Sequence, residues 1–336
     1  MKIEICKKED RAKLVDFLRK YWKKDHILVK SPDFLEWQHG NEEGGLNFYI
    51  AKDENGEIIA VEGFIPTSKF DCKLKSNNEK WGAIWKAIPN CKIPSVGVMV
   101  SRQMEKEANF VGGLGLSKDA QTYYKMRKAD FGICKQYYVL NPLINKFNIA
   151  KINLPPSNIL PDSNDCDVKL IESLDDLNEI THAYHPVKSL EFIKNRYNNH
   201  PVYKYHYIEC KNKGRLECLI VFRIIEVNNS KCARIVDALG NFANLSDLGH
   251  SLKKLLANSL PEIEYFDMYN HGISEDFLIN SGFSVVNDND GNIIPNYFEP
   301  FVQKNIPLHY SVLSKDKNIQ YVFFKGDADQ DRPNFI

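Results

Sequence analysis

The chain repeats part of itself once, and no other feature constrains its fold as much. Ser31-Pro32-Asp33-Phe34-Leu35-Glu36-Trp37 recurs in outline as Ser189-Leu190-Glu191-Phe192-Ile193-Lys194-Asn195. Phe34 is followed by Tyr49-Ile50 and Gly56, and Phe192 by Tyr207-Ile208 and Gly214. From Ser31 to Ser189 and from Tyr49 to Tyr207 alike, the offset is 158 residues. Solenoid repeats have periods of roughly 20–50 residues, so this spacing predicts two copies of one domain rather than an array. Two related domains can build a ligand site between them.

A length of 336 residues fits two such domains, at about 100–200 residues each. Lys plus Arg and Asp plus Glu both number 44, so net charge is zero. That gives no reason to expect nucleic-acid binding, which needs a basic face. No run approaches the ~20 apolar residues of a membrane span. The start, Met1 to Lys7, turns charged too early for a signal peptide. Eight scattered Cys without a Cys-x-x-Cys pair read as reduced thiols of a cytoplasmic protein. His182 and His185 are three apart, but no Cys or carboxylate completes a set with them, so no metal centre is expected.

Local patterns fill in the units. Residues 9–24 carry an apolar helical stripe, and Ser31-Pro32 reads as an N-cap with Pro at the first helical position. Asp53-Glu54-Asn55-Gly56 joins two apolar strands as a hairpin turn. A strand at 80–88, with Trp81 and Trp85 on one face, leads to a helix over 96–107. A Gly-rich strand end, a helix over 118–128 and a strand over 136–140 follow. The Pro-, Ser- and Asn-rich stretch between 146 and 166 reads as a linker. The pattern then restarts: a strand, helices over 174–184 and 190–197, three strands, a helix over 245–259, a strand, a helix and a late strand at 321–325. The expectation is an α/β (α+β) chain of two domains, 1–145 and 167–336, each a mostly antiparallel mixed sheet flanked by helices.

That order of elements resembles the Gcn5-related N-acetyltransferase (GNAT) fold in tandem. The family binds a pyrophosphate through Gln/Arg-x-x-Gly-x-Gly/Ala where its fourth strand meets a helix. Lys92-Ile93-Pro94-Ser95-Val96-Gly97 stands at that join, with Lys for Arg and Ser for the first Gly. Backbone N–H groups at a helix start still cradle an anion there. Gly240 to Leu245, at the second join, lacks both the basic residue and the paired small residues. The resemblance therefore implies acetyl-CoA or a longer acyl-CoA on Lys92, Ile93, Ser95, Val96 and Gly97 of the first half, and an acceptor on the second.

Among tandem relatives the chain resembles N-acyltransferases of nucleotide-linked amino sugars, of the kind that completes dTDP-anthrose. The residues that carry this are Phe34 to Gln38, Trp81 to Trp85, Arg234 to Asp237 and Gly326 to Asn334. The implied partner is a dTDP- or UDP-linked amino sugar, taken by a monomer or dimer. The implied reaction is direct attack of the sugar amine on the thioester. Asp237, late on a second-half strand, is a candidate to hold or deprotonate the amine, or else a cap for the next helix. His271 is a candidate proton relay. The family's acidic Tyr, in the pattern Tyr-x-x-x-Gly-Phe, falls here on Met126, and Tyr123 one turn earlier is the substitute. Trp37, Trp85, Tyr269, Asp329 and Arg332 are the candidates for acceptor contacts. Two other readings stay open: a tandem aminoacyl transferase of the cell-wall type, and a non-catalytic ligand-binding protein of the same fold.

Overall fold

The computed structural model describes residues 1–153, 166–178, 180, 182–287 and 289–334. Most of the stretch read as a linker therefore lies outside the described residues. The first half runs β1 (Lys2–Cys6), α1 (Arg11–Tyr21), α2 (Ile27–Lys30), α3 (Pro32–His39), β2 (Leu46–Lys52), β3 (Ile58–Pro66), β4 (Glu79–Ala87), α4 (Val96–Glu107), β5 (Phe110–Leu114), α5 (Lys118–Met126) and β6 (Asp130–Leu140). The second runs β7 (Cys166–Ile171), α6 (Leu190–Ile193), β8 (His206–Asn212), β9 (Arg215–Val227), β10 (Ser230–Gly240), α7 (Leu248–Ser259), β11 (Ile263–His271) and α8 (Glu275–Asn280). Short strands β12 (Ser284–Val285), β13 (Tyr297–Phe298) and β14 (Phe301–Val302) precede β15 (Leu308–Ser314) and β16 (Phe323–Phe324).

The repeat seen in the sequence is a repeat of local physics. Ser31 Oγ accepts the Phe34 N–H at 3.2 Å, and Ser189 Oγ accepts the Phe192 N–H at 3.0 Å. Each satisfies a helix-start donor that has no partner within the helix. Phe34 and Phe192 are both buried. Asp53 Oδ1 accepts the N–H groups of Asn55 and Glu57, both at 2.9 Å, and Gly56 takes φ 76, closing the predicted hairpin. Ser117 and Ser274 likewise cap α5 and α8. β4 and β10 each carry a bulge opposite β3 and β9.

Both halves share one sheet of order β1-β2-β3-β4-β5-β15-β6-β11-β10-β9-β8-β7. The halves exchange strands at its centre. β5 pairs with β15 from the second half, and β11 pairs with β6 from the first. β15 and β6 pair with each other. The sequence reading missed β15, because Ile306 to Ser314 mixes polar and apolar residues without a turn signal at either end. It also placed a helix over 174–184, where the described residues form turns and isolated contacts instead. The bulge in β4 overturns one further expectation. Trp81 packs on Phe110 and Phe323, whereas Trp85 packs on Tyr123. An extra residue between them breaks the two-residue alternation that put both on one face.

If the repeated caps do the same work, Ser31→Ala and Ser189→Ala each lower unfolding free energy by about 1 kcal/mol. Urea denaturation at fixed pH measures both. A cost confined to one variant would mean that the two starts are not equivalent.

Candidate active site between strands β4 and β5

β4 and β5 lie parallel and pair from Glu79↔Phe110 to Gly82↔Gly113. Beyond that point β4 continues to Ala87, held on its far edge by β3, while its near edge has no β5 partner. The result is a wedge whose freed backbone groups face the gap. Helix α4 starts at its mouth. Ser95 precedes the helix in the left-handed region with φ 57, and Lys92, Pro94 and Ser95 are exposed. The first-turn N–H groups of a helix have no intrahelical acceptor and sit at the positive end of its dipole. A Cβ on Gly97 would lie 3.4 Å from Trp85 Nε1, and Trp85 donates that N–H to the Gly97 carbonyl at 2.8 Å. Gly97 thus seats the helix start against β4.

At the apex stands a carboxylate that the sequence reading did not single out. Glu62 lies on β3 and is only 3% exposed. Its Oε1 would be 3.7 Å from a Cβ built on Gly82, the last paired residue of β4. Burial pushes its carboxyl up to about 8, with the Ser101 hydroxyl opposing and the charge of Glu105 adding to the rise. Glu62 Oε2 and Ser311 Oγ are buried without a hydrogen-bond partner among the described residues, and the Ser101 hydroxyl lies close enough to Glu62 to hold its value down. Buried polar atoms are normally paired, so the unpartnered Glu62 oxygen can accept a hydrogen bond from a ligand in the wedge. Tyr123 donates its hydroxyl to Glu105 Oε1 at 2.5 Å, and its ring lies 5.2 Å from that of Trp85. Arg127 pairs with the same Glu105 at 2.9 Å. Burial and Glu105 hold the Tyr123 phenol well above its ordinary range. The signal for Glu62 was present: Ile58-Ile59-Ala60-Val61-Glu62-Gly63-Phe64 is a carboxylate set inside an apolar strand.

The equivalent wedge of the second half is closed by the chain itself. β10 and β11 stop pairing at Ile235↔Met268. β16 then takes the freed edge of β11, with Asn270↔Phe324 and His271↔Phe323 in register. On the other side the Gly326 N–H donates to the Val236 carbonyl at 2.8 Å. The tail is held by Lys188, which pairs with Asp237 at 2.5 Å and Asp327 at 2.8 Å, all three side chains buried. Tyr197 donates to Asp237 at 2.8 Å. Arg196 Nη2 reaches the carbonyls of Gly326, Asp327 and Ala328 at 2.5, 3.2 and 2.8 Å. A cavity of about 560 Å³ remains beside this plug, lined by Gly240 to Ala243, Gly272 to Ser274 and Val322.

The residues singled out in the sequence fall into three places. Lys92, Ile93, Ser95, Val96, Gly97, Trp85 and Tyr123 gather around the open wedge. Asp237 is sealed inside the ion-pair cluster, away from any opening, so the geometry gives it a structural task. Trp37 packs on Phe70 and His200 where α3 meets the second half. Asp329 and Arg332 pair with each other at 2.8 Å in the tail. Tyr269 is buried and donates to Gln136 at 2.8 Å. His271, half-buried at the end of β11, stacks against Tyr321 and Phe323. Burial lowers its imidazole below the ordinary value, with Asp130 opposing. An open groove of about 910 Å³ runs along Gly40 to Glu43 and Pro66 to Lys75, and it is not lined by Glu62, Trp85, Gly97 or Tyr123. No group of three metal-ligating side chains occurs among the described residues, and no described helix is long and apolar enough to cross a membrane. His182 and His185 do not share a helix face: His182 hydrogen-bonds the Lys188 backbone, and His185 pairs with Glu79.

No family profile matches the sequence, and no curated protein matches it. Solved structures do. A GCN5-related N-acetyltransferase from Anabaena variabilis aligns with TM-score 0.51 and 10% identity, over 92% of this chain and 72% of that one. One from Sphaerobacter thermophilus aligns with TM-score 0.40 and 8% identity, over 93% and 94%. A tandem GNAT protein from the clavulanic acid biosynthesis pathway gives 0.39 and 8%, over 93% and 98%. The first likeness carries the conclusion: the chain has the α/β fold of the GCN5-related N-acetyltransferases. Identity this low reaches the fold and not the substrate.

Two outcomes follow from the buried charges. Lys188→Met leaves two carboxylates buried without a cation and costs about 3–5 kcal/mol. Asp237→Asn leaves one carboxylate for one ammonium and costs much less; thermal unfolding at neutral pH compares them. For Glu62 the folded value near 8 lies above the ordinary 4.5. The unfolded chain gives up that proton first, so the folded state binds more protons between these values and loses stability as pH rises. Glu62→Gln removes that slope, gaining roughly 3–5 kcal/mol over wild type across this window. Parallel stability-against-pH curves for the two proteins would contradict the assignment.

Proposed function

We propose that the chain is an acyl-CoA-dependent N-acyltransferase with one working site, in the first half. The observation that supports this most is the asymmetry of the two wedges. One is open, with a helix start at its mouth and a buried carboxyl at its apex; the other is filled by the chain's own tail. The Lys92–Gly97 segment and the first turn of α4 would hold the pyrophosphate of acetyl-CoA or a longer acyl-CoA. The freed edge of β4 would bond the amide-bearing arm, which brings a thioester to the apex. Residues 1–145 then serve as the acyl-CoA unit and 167–336 as the acceptor unit, although the two exchange strands.

Acyl-CoA supplies an activated carbonyl. The chain's residues supply position and proton transfer. A neutral amine attacks the carbonyl carbon, a C–N bond forms and the C–S bond breaks. Glu62, in its ionised form, takes the proton lost by the nitrogen. Its raised value makes it a stronger base than an ordinary carboxylate. Amines flanked by electron-withdrawing groups, as in an amino sugar, titrate near ~8 like an α-amino group, so base and nucleophile are matched. Tyr123, on α5 beside Trp85 and oriented by Glu105, would supply a hydroxyl for the departing thiolate. For the acceptor we propose a nucleoside-diphosphate-linked amino sugar, dTDP or UDP, on the strength of the resemblance in Phe34 to Gln38 and the tail. A non-catalytic binding protein of this fold is the second reading. What favours it is Met126, 78% exposed where the family places its acid.

Gly97→Trp would push a side chain into Trp85 and weaken CoA binding at least tenfold, read by isothermal titration. Unchanged affinity would put the co-substrate elsewhere. Glu62→Gln is expected to lower kcat by roughly 10²–10⁴ and to erase a rise in rate toward pH 8, with CoA affinity intact. Wild-type protein that binds CoA but acylates no amine across a panel of amino sugars would support the second reading.

A further inference from the structure

One cavity plays no part in the wedge. It has a volume of about 180 Å³ and lies between Gly115 at the end of β5, the Asn296–Glu299 segment and the C-terminal tail. Lys325 lines it and is 6% exposed. Its Nζ donates to the Asn296 carbonyl at 3.0 Å and forms no ion pair among the described residues. The charged neighbours are already engaged. Arg223 pairs with Asp331 at 2.9 Å, and Arg332 Nη1 with Asp329 at 2.8 Å. Glu299 accepts from the Tyr203 hydroxyl at 2.9 Å and the Asn334 N–H at 2.7 Å. Two other lining residues present buried atoms without partners among the described residues, Asn296 Oδ1 and Arg332 Nε.

A buried amine with one carbonyl partner and no counter-ion carries an uncompensated desolvation cost whenever it is protonated. A bound anion would remove it, and the two orphan atoms supply one more donor and one acceptor. We propose that this cavity binds an oxyanion, carboxylate or phosphate, on Lys325 Nζ and Arg332 Nε, with Asn296 Oδ1 accepting a hydrogen bond from a hydroxyl or amine of the same molecule. The inference deepens the acyltransferase reading by naming the acceptor as an amine that carries an anionic group; anion binding itself does not depend on acyl transfer. Gln330 connects the two places, since a Cβ on Gly115 would lie 2.3 Å from its Oε1. Gly115 is two residues past the last β4–β5 pair, so the cavity lies beside the wedge.

Charge linkage gives a second readout. The groups facing Lys325 are Arg223 on β9, Arg234 on β10, Asp267 and Tyr269 on β11, Tyr297 on β13 and Asp331 in the tail. Arg332 and Glu299 line the same cavity. Burial, then Arg234, hold the Lys325 ammonium well below its ordinary value, and Asp331 and Asp267 only partly restore it. An arriving anion reverses that balance, so binding takes up a proton and tightens as pH falls.

The test is isothermal titration of the full chain with inorganic phosphate and with acetate, each in two buffers of different ionisation enthalpy. One probe is expected to bind with proton uptake, and at least about tenfold more weakly in Lys325→Met. Methionine fills a similar volume, and apolar replacement of a buried charge is often neutral for stability. Arg332→Gln, closer to the surface, is expected to weaken the same probe several-fold and serves if Lys325→Met does not fold. Preference for phosphate assigns a phosphate-bearing acceptor, and preference for acetate a carboxylate-bearing one. The inference is overturned if neither probe binds wild type at ~20 mM, or if the folded variants bind as wild type does. CoA is titrated in parallel: loss of anion binding alone sinks this inference, and absence of CoA binding alone sinks the acyltransferase reading.

Discussion

A single buried ammonium ties the second half together. Lys188 sits between Asp237 on β10 and Asp327 in the tail. It therefore joins three segments that are far apart in sequence. Burial pushes Asp327 up to about 6, against Lys188 and with Asp237. Two carboxylates sharing one cation cannot both be comfortable out of water. Packing makes up the difference, because β16 adds ladder bonds and Phe323 and Phe324 add buried rings. Arg196 then closes on three successive tail carbonyls. Wherever the tail goes, the shape of the cleft between the halves goes with it.

That constraint explains how a duplicated fold comes to have unequal halves. Parallel strands that separate leave backbone donors and acceptors unsatisfied along both freed edges, and such groups must find partners. In the second half the partner is the chain's own β16 and Gly326. In the first half no described residue takes the role, and a ligand with amide groups suits it. The same tail that fills one wedge continues past Gly115, at the end of β5, and lines the Lys325 cavity. One segment thus removes a site and shapes another.

Much of the fold was legible in the sequence because it rests on local rules. Serine caps, a Pro at a helix start, the Asp53–Gly56 turn and apolar alternation act over a few residues. Tertiary context overrode such rules in the places where the expectations failed. The bulge in β4 turned Trp81 and Trp85 into different surroundings. β15 reads weakly because its partners, β5 and β6, supply the order that its own residues do not. Of the candidate site, the Lys92–Gly97 segment and Tyr123 could be singled out from motif and spacing. Glu62 was visible only as an oddity, since a carboxylate in an apolar strand can face water or core with equal ease on paper.

The sequence by itself determined that two copies of one unit would form, where the serine-capped helix α3 would begin and that Asp53–Gly56 would close a hairpin. These are consequences of backbone hydrogen bonding within short stretches. Tertiary structure alone decided that the copies exchange their central strands, that Asp237 would be an anchor and that Lys325 would be buried without a counter-ion. Each depends on which distant segment reaches a given edge first. The 158-residue offset that announces the duplication is silent on how the tail breaks its symmetry.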